Sequence, residues 1–289
     1  MAGAFIFKRL CASPGTAQSL VDFSNSWARE VRRMAVLELK GLTKHFGGLA
    51  AVNEFDFSVN DGEIVGLIGP NGAGKTTVFN LINGVFHPTR GRIYFRGEDI
   101  TGLRPDQVAK KGLARTFQAS TLFGLYPTLM NVIIGTHLHA GMNFFGALFN
   151  TRRTRQKDKE VMAKAMGIIN LLELGDVAMT PAQDLPHGHQ RALGIAVALA
   201  TEPRLLLLDE PVTGMNPEET SHMMGLIRKI RRERGLTIVL VEHDMHAVMG
   251  LCDTITVLSF GQKLAEGTPA EIQNNKDVID AYLGVDEDV

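Results

Sequence analysis

Residues 63–84 read EIVGLIGPNGAGKTTVFNLING, and this stretch decides the fold. Glu63–Ile68 is an apolar run of strand length, and Lys75–Asn83 repeats apolar residues at helical spacing until Gly84 stops it. Between them, Gly69-Pro70-Asn71-Gly72-Ala73-Gly74-Lys75-Thr76-Thr77 satisfies the pattern G-x-x-x-x-G-K-[ST] in the strand–loop–helix setting that the motif requires. The physical device is a concentration of unpaired backbone N–H groups at a helix start. Glycines let the chain wrap phosphate oxygens without a Cβ clash, and the helix dipole adds positive potential. Lys75 is expected to neutralise β- and γ-phosphates, and the Thr76 hydroxyl to ligate Mg²⁺.

Further along, the four-leucine run Leu205–Leu208 ends in Asp209-Glu210. An apolar strand ending in an acidic pair brings Asp209 to the carboxyl edge of a parallel sheet, beside the glycine loop. There it is expected to hold Mg²⁺ through water. Glu210 is then expected to face the γ-phosphate and polarise the attacking water.

Around these two elements the pattern alternates. Val36–Leu42, Phe55–Val59, Gly91–Phe95, Arg204–Leu208, Leu236–Val241, Thr254–Leu258 and Gln262–Ala265 read as strands. Helices are expected from Pro105, over Thr128–Ile134, Gln156–Leu172 and Gln190–Ala200, and over Pro217–Arg234, which opens with proline and ends arginine-rich. Strands alternating with helices, and a helical block over about 119–184, give an α/β fold: a mainly parallel sheet with an inserted helical subdomain.

Composition narrows the function classes. Of 289 residues, 45% are hydrophobic and 21% charged, which excludes general disorder. Thirty basic against thirty-one acidic residues give a formal charge of −1, so no nucleic-acid partner is expected. Two cysteines, Cys11 and Cys252, cannot build a disulfide framework, and a reducing compartment follows. The His137/His139 and His187/His189 pairs lack accompanying zinc-spaced ligands, so no metal site made of side chains alone is expected.

Thr116–Thr151 contains no Asp, Glu, Lys or Arg. Pro127, Asn131, His137, His139, Asn143 and four glycines prevent it from forming an apolar membrane span. Taken singly, Phe123, Leu125, Tyr126, Met130, Phe144, Phe145 and Phe149 are expected in the subdomain's own core. As a set they exceed what a small subdomain buries. A docked patch of ~400 Å² at ~25 cal/mol/Å² would contribute on the order of 10 kcal/mol before association costs. The neighbouring run Arg152–Lys157 reads as a solvated helix face. Residues 1–33 show no clear period and no secretory pattern; they are expected to be a loose extension before Met34, with an amphipathic anchor around Val21–Val31 as the alternative.

These spacings resemble the ATP-binding cassette (ABC) ATPases, from about Val36 to Gly284. The resemblance implies an ABC ATPase domain over 34–284, with an N-terminal antiparallel β subdomain, followed by an acidic tail at 285–289. It also implies ATP and Mg²⁺ as cofactors. Phe46 in KHFGG matches the aromatic that stacks on adenine, and Gln118 in ARTFQ the glutamine that senses Mg²⁺ and connects to the membrane partner. His243 in LVEHDM matches the switch histidine that contacts the γ-phosphate. The signature segment, usually L-S-G-G-Q, is Leu185-Pro186-His187-Gly188-His189. Gly188 and a helix start at His189-Gln190 keep the backbone device that meets ATP bound to an opposing subunit, while His189 replaces an amide. The loop after Glu210 ends in Asn216 where the family usually has aspartate, which implies altered coupling between the paired sites.

LTKHFGGLAAV, ARTFQ, LPHGH, EPVTGMNPEE and DVIDAYLG resemble the LivG-type subunit of branched-chain amino acid importers. That implies a second related ATPase, two transmembrane permease subunits and an extracytoplasmic binding protein, with this chain on the cytoplasmic face of the membrane. The segment nearest Phe123–Tyr126 is then expected to receive a cytoplasmic helix of a permease. Importers of urea and other amides share much of the pattern. Soluble ABC ATPases of translation or DNA repair, which carry tandem cassettes or a long coiled coil, fit less well. A regulatory subunit with weak hydrolysis, motivated by His189 and Asn216, is opposed by intact Lys75, Asp209, Glu210 and His243.

Overall fold

The computed structural model describes residues 35–116, 122–140 and 152–283. The N-terminal extension, Gln118, the three phenylalanines at 144, 145 and 149 and the acidic tail lie outside these residues.

The chain opens with two twelve-residue strands, β1 (Ala35–Phe46) and β2 (Leu49–Asn60), paired antiparallel across a Gly47-Gly48 turn. The sequence suggests shorter strands. Register shifts between Leu39 and Leu42, and again towards Lys44, interrupt the inside–outside alternation and hide the continuity of the hairpin. β4 (Arg90–Phe95) joins the other edge of β1, and the two-residue β5 (Glu98–Asp99) completes a sheet ordered β2-β1-β4-β5.

The second sheet has six strands in the order β10-β9-β3-β8-β7-β6. These are β3 (Ile64–Ile68), β6 (Leu113–Arg115), β7 (Leu205–Asp209), β8 (Thr237–Val241), β9 (Thr254–Ser259) and β10 (Gln262–Gly267). The pairs β9–β3, β3–β8, β8–β7 and β7–β6 are parallel, and only β10 runs against its neighbour. The three-residue β6 is too short to produce a periodic signal.

Two cores lie on opposite faces of this sheet. Leu206, Leu208, Ile238 and Leu240 point into one; Leu205, Leu207, Val239 and Val241 point into the other. The second core is closed by the antiparallel sheet and by α1 (Lys75–Ile82), whose Val78, Phe79, Leu81 and Ile82 are buried between the two sheets. Burial on both faces explains why these strands read as unbroken apolar runs.

After α2 (Pro105–Lys110) and β6, the chain enters the helical block with α3 (Thr128–Ala140) and α4 (Arg152–Leu171). It returns through α5 (His187–Leu199) to β7. Val132, Ala165, Ile169 and Leu172 of the block share one continuous core with Leu193 and Ala196 of α5 and the face of the sheet. α6 (Pro217–Arg234) covers the same face. Three short helices missed by periodicity follow: α7 (Met245–Leu251), α8 (Pro269–Gln273) and α9 (Lys276–Leu283). Among the described residues no helix is long and apolar enough to cross a membrane.

Candidate functional site

Three adjacent parallel strands, β3, β8 and β7, deliver the sequence-selected residues to one sheet edge, and β6 lies beside them. β3 runs into residues 69–74, β8 into Glu242-His243, β7 into Asp209-Glu210, and β6 ends at Arg115. Asp209 pairs with Val241, so the chain segments that leave β7 and β8 start side by side.

The glycine loop is shaped by two close approaches. A Cβ on Gly69 would collide with the Leu258 carbonyl oxygen, and one on Gly74 with the Ala51 carbonyl oxygen; their φ values of 152° and 108° also disfavour any side chain. Gly74 caps α1, whose first-turn N–H groups have no acceptor one turn earlier in the helix. The Lys75 ammonium folds back onto the loop, donating to the carbonyls of Gly69 at 2.6 Å and Pro70 at 2.9 Å. Among the described residues no ion pair engages it. Burial pushes its pKa below the ordinary lysine value, and the opposing pull of Glu210's charge places that carboxylate within electrostatic reach. A half-buried cation beside free helix-start amides fits a polyphosphate. Thr76 is exposed in the first turn of α1, and Asp209 stands at the strand end. These oxygen donors match the chemistry of Mg²⁺.

Glu210 holds a left-handed backbone conformation, φ 49°, which is costly for a residue with a side chain. Its N–H donates to the Val241 carbonyl at 2.8 Å, which pins the turn. The His243 Nδ1 lies 3.9 Å from the Glu210 carboxylate, and both side chains reach solvent. Between the two segments lies Glu242, a residue the sequence reading passed over. Its 1%-exposed carboxylate accepts the N–H groups of Val212 at 2.8 Å and His243 at 3.1 Å. Burial raises its pKa above the usual carboxylate value, against those backbone donors. Glu242 thus ties the loop after Glu210 to the loop carrying His243. A charged residue at the end of a wholly buried strand was the available signal.

Asp209 is also held by residues the sequence reading did not select. Arg115 donates to its Oδ2 at 2.6 Å, and the Thr116 hydroxyl accepts its N–H at 3.2 Å. Gln118, three residues beyond Arg115, lies outside the described residues.

The other selected residues are placed as follows. Phe46 ends β1 at the hairpin tip, 44% exposed, its ring edge-on to Phe86 at 5.3 Å. Ala51, just past that tip, is the residue that touches Gly74. The signature helix begins at His187 rather than at His189-Gln190, because the extended Pro186 serves as its N-cap. Gly188 and the exposed His189 therefore sit inside its first turn. Asn216 accepts the Glu219 N–H at 2.9 Å while the Glu219 carboxylate accepts the Asn216 N–H at 3.0 Å, a closed capping box at the head of α6. Its amide is therefore engaged within its own helix.

On the helical block, Phe123, Leu125, Tyr126 and Met130 are 51%, 81%, 52% and 41% exposed. The single-residue expectation of core positions fails for these four. For Phe123, Leu125 and Tyr126 the reason is Asn131. Its buried amide accepts the Phe123 N–H and donates to the carbonyls of Phe123, Tyr126 and Pro127, holding the 123–127 turn on the outside of α3.

Residues 52–213 match the ABC transporter family, and residues 262–288 match the family described as branched-chain amino acid ATP-binding cassette transporter. The chain is 45% identical over 249 residues to the high-affinity branched-chain amino acid transport ATP-binding protein BraF of Pseudomonas aeruginosa, covering 86% of this chain and 98% of BraF. It is 43% identical over the same length to LivG of Escherichia coli K12, a protein of the same description, with the same coverage. Among solved structures, the ADP conformation of MJ1267, an ATP-binding cassette of an ABC transporter, superposes with a TM-score of 0.76 at 30% identity, covering 87% of this chain and 99% of that one. The dimeric structure of the bacterial ABC transporter cassette MJ0796 gives 0.68 at 26% identity, covering 81% and 98%. A glycine loop, an acidic strand end and a histidine on adjacent strands, within a chain related to these proteins over most of its length, identify an ATPase of the ABC transporter family.

Proposed function

We propose that this chain is the ATP-hydrolysing subunit of an importer for branched-chain amino acids, working at the cytoplasmic face of the membrane. The observation that carries the reading is the convergence of Lys75, Asp209, Glu210 and His243 at one edge of the parallel sheet, in a chain 45% identical to BraF over nearly all of BraF's length. Residues 34–284 form the ATPase domain with its helical subdomain at about 119–184; residues 1–33 and 285–289 flank it.

In this reading the amides of Gly69–Thr77 and the Lys75 ammonium bind the β- and γ-phosphates of ATP, and Phe46 stacks on the adenine. Thr76, Asp209 and Gln118 would hold Mg²⁺, which would neutralise charge on the phosphate oxygens. Glu210 accepts a hydrogen bond from the attacking water, which displaces ADP at the γ-phosphorus. The P–O bond to the β-phosphate breaks, and the water's proton leaves through the carboxylate. His243 contacts the γ-phosphate from the neighbouring strand. Gly188 and His189 at the head of α5 meet ATP held by a second cassette, so nucleotide joins the two. Driving such a pair from mostly open to mostly closed takes about 5.5 kcal/mol of differential binding, within reach of charge-assisted contacts from both sides.

Two permease subunits complete the membrane complex, and an extracytoplasmic binding protein delivers substrate to them. The turn bearing Phe123–Tyr126 is apolar, exposed and held by Asn131, which suits it to receive a cytoplasmic permease helix. Phe123→Asp is expected to abolish co-purification with the membrane subunits while ATP binding is retained; undiminished co-purification contradicts the docking site. In proteoliposomes holding the assembled complex, leucine-loaded binding protein is expected to stimulate hydrolysis. Stimulation by urea or a simple amide, with none by leucine, isoleucine or valine, contradicts the substrate assignment and favours the amide-importer reading.

A further inference from the structure

Arg115 ends β6, and its side chain is only 13% exposed. Its guanidinium spans two elements. Nη1 donates to the Asn80 Oδ1 of α1 at 2.6 Å, and Nη2 donates to the Asp209 Oδ2 of β7 at 2.6 Å. The plane lies over the Phe79 ring, 5.6 Å from its centre, and Phe79 is fully buried. The next residue grips Asp209 a second time: Thr116 Oγ1 accepts the Asp209 N–H at 3.2 Å, and the Thr116 N–H donates to the Leu207 carbonyl at 2.9 Å.

Asn80 lies four residues after Thr76 in α1, one turn along the same helix face. The guanidinium fork therefore spans the Asp209 carboxylate and the face of α1 that carries Thr76, and it fixes the separation between them. A lysine, with a single nitrogen, cannot reproduce two rigid donors at that spacing. Pairing through Oδ2 restrains the Asp209 carboxylate and leaves its other oxygen outside this ion pair.

We propose that Arg115 is a positioning residue of the ATPase site: by clamping Asn80 and Asp209 it sets the spacing between the two Mg²⁺-facing side chains, Thr76 and Asp209. This rests on the metal-site reading above, and it adds a residue outside the nucleotide motifs that governs the metal without touching it. Outer-shell partners of metal ligands commonly govern metal affinity by about 10–100-fold.

The test measures ATP binding by calorimetry to the full-length chain carrying Glu210→Gln, with Mg²⁺ and with EDTA. Arg115→Met is expected to cut the tightening caused by Mg²⁺ by at least about tenfold, while affinity in EDTA stays within about twofold. Arg115→Lys and Asn80→Leu are expected to lose an intermediate share, and they keep the test valid if the Met variant does not fold. Asp209→Asn and Thr76→Val are the controls for the site itself and are expected to abolish the tightening. If the controls abolish it while the Arg115 and Asn80 variants leave it unchanged, or weaken ATP binding equally with and without Mg²⁺, Arg115 is a structural ion pair and the proposal is overturned. If the controls themselves retain the tightening, the metal-site reading fails and the proposal falls with it.

Discussion

Cys252 packs against Gly66 in β3, where a Cβ would stand 2.9 Å from its sulfur, and its thiol is pushed up to about 12 by burial and then by the charge of Asp253. A thiol so placed is inert, because the nucleophile is the thiolate. At pH 8 a thiol reagent is expected to leave Cys252 unmodified in the folded protein and label it on unfolding, as peptide mass spectrometry can show separately from Cys11. The sign of the linked pH effect follows. The unfolded thiol ionises near its ordinary value of 9.0 while the folded one holds its proton to about 12, so the unfolded state loses protons first. Folding stability should therefore fall as pH rises through that window. Cys252→Ala is expected to fall less steeply across it; an unchanged slope contradicts the assignment. At this scale the sequence is most legible where chemistry restricts the choice of residue. Gly69 and Gly74 announce themselves because nothing larger fits against Leu258 and Ala51. Arg115 and Glu242 do not, because their partners lie 94 and 30 positions away in the chain.

Elements were legible in proportion to the regularity of their burial. β7 and β8 are buried on both faces and read as apolar runs, and α6 is bounded by Asn216-Pro217 at its head and a left-handed Gly235 at its end. The hairpin of β1 and β2 was only half seen, because its bulges move residues between faces. β6 was missed for its length, although it is the strand that sets Asp209. The signature helix starts two residues earlier than its glycine suggested, since Pro186 fixes the N-cap before any apolar period begins. Asn216 shows a local device explaining a departure from a family pattern. Its amide caps α6 as well as a carboxylate would. Asn216→Ala is expected to lower stability by about 1 kcal/mol in chemical denaturation. Asn216→Asp should stay within about 0.5 kcal/mol of wild type, as both residues are strong caps; equal losses for both would remove capping as the residue's structural role.

At the scale of the whole molecule, the parallel sheet joins two cores into one support. One core places α1 and its phosphate loop against the hairpin. The other carries the helical block with its exposed turn at Phe123–Tyr126. The glycine loop and the exposed turn at Phe123–Tyr126 thus stand on the two cores of one sheet. The proposed partners and substrate are not legible from fold or site and rest on kinship with BraF and LivG. Loss of docking and loss of ATP binding are expected to be separable, with Phe123→Asp affecting the first alone.

The most direct measurement is steady-state ATP turnover of the purified chain beside Lys75→Ala and Glu210→Gln, with ATP binding measured on each. Lys75→Ala is expected to lose both binding and turnover. Glu210→Gln is expected to bind ATP as wild type does while turnover falls at least about a hundredfold, the lower range for a general base in the transition state. Turnover that survives Lys75→Ala, or a wild type no faster than Glu210→Gln, would contradict a nucleotide held by residues 69–77 and cleaved beside Glu210.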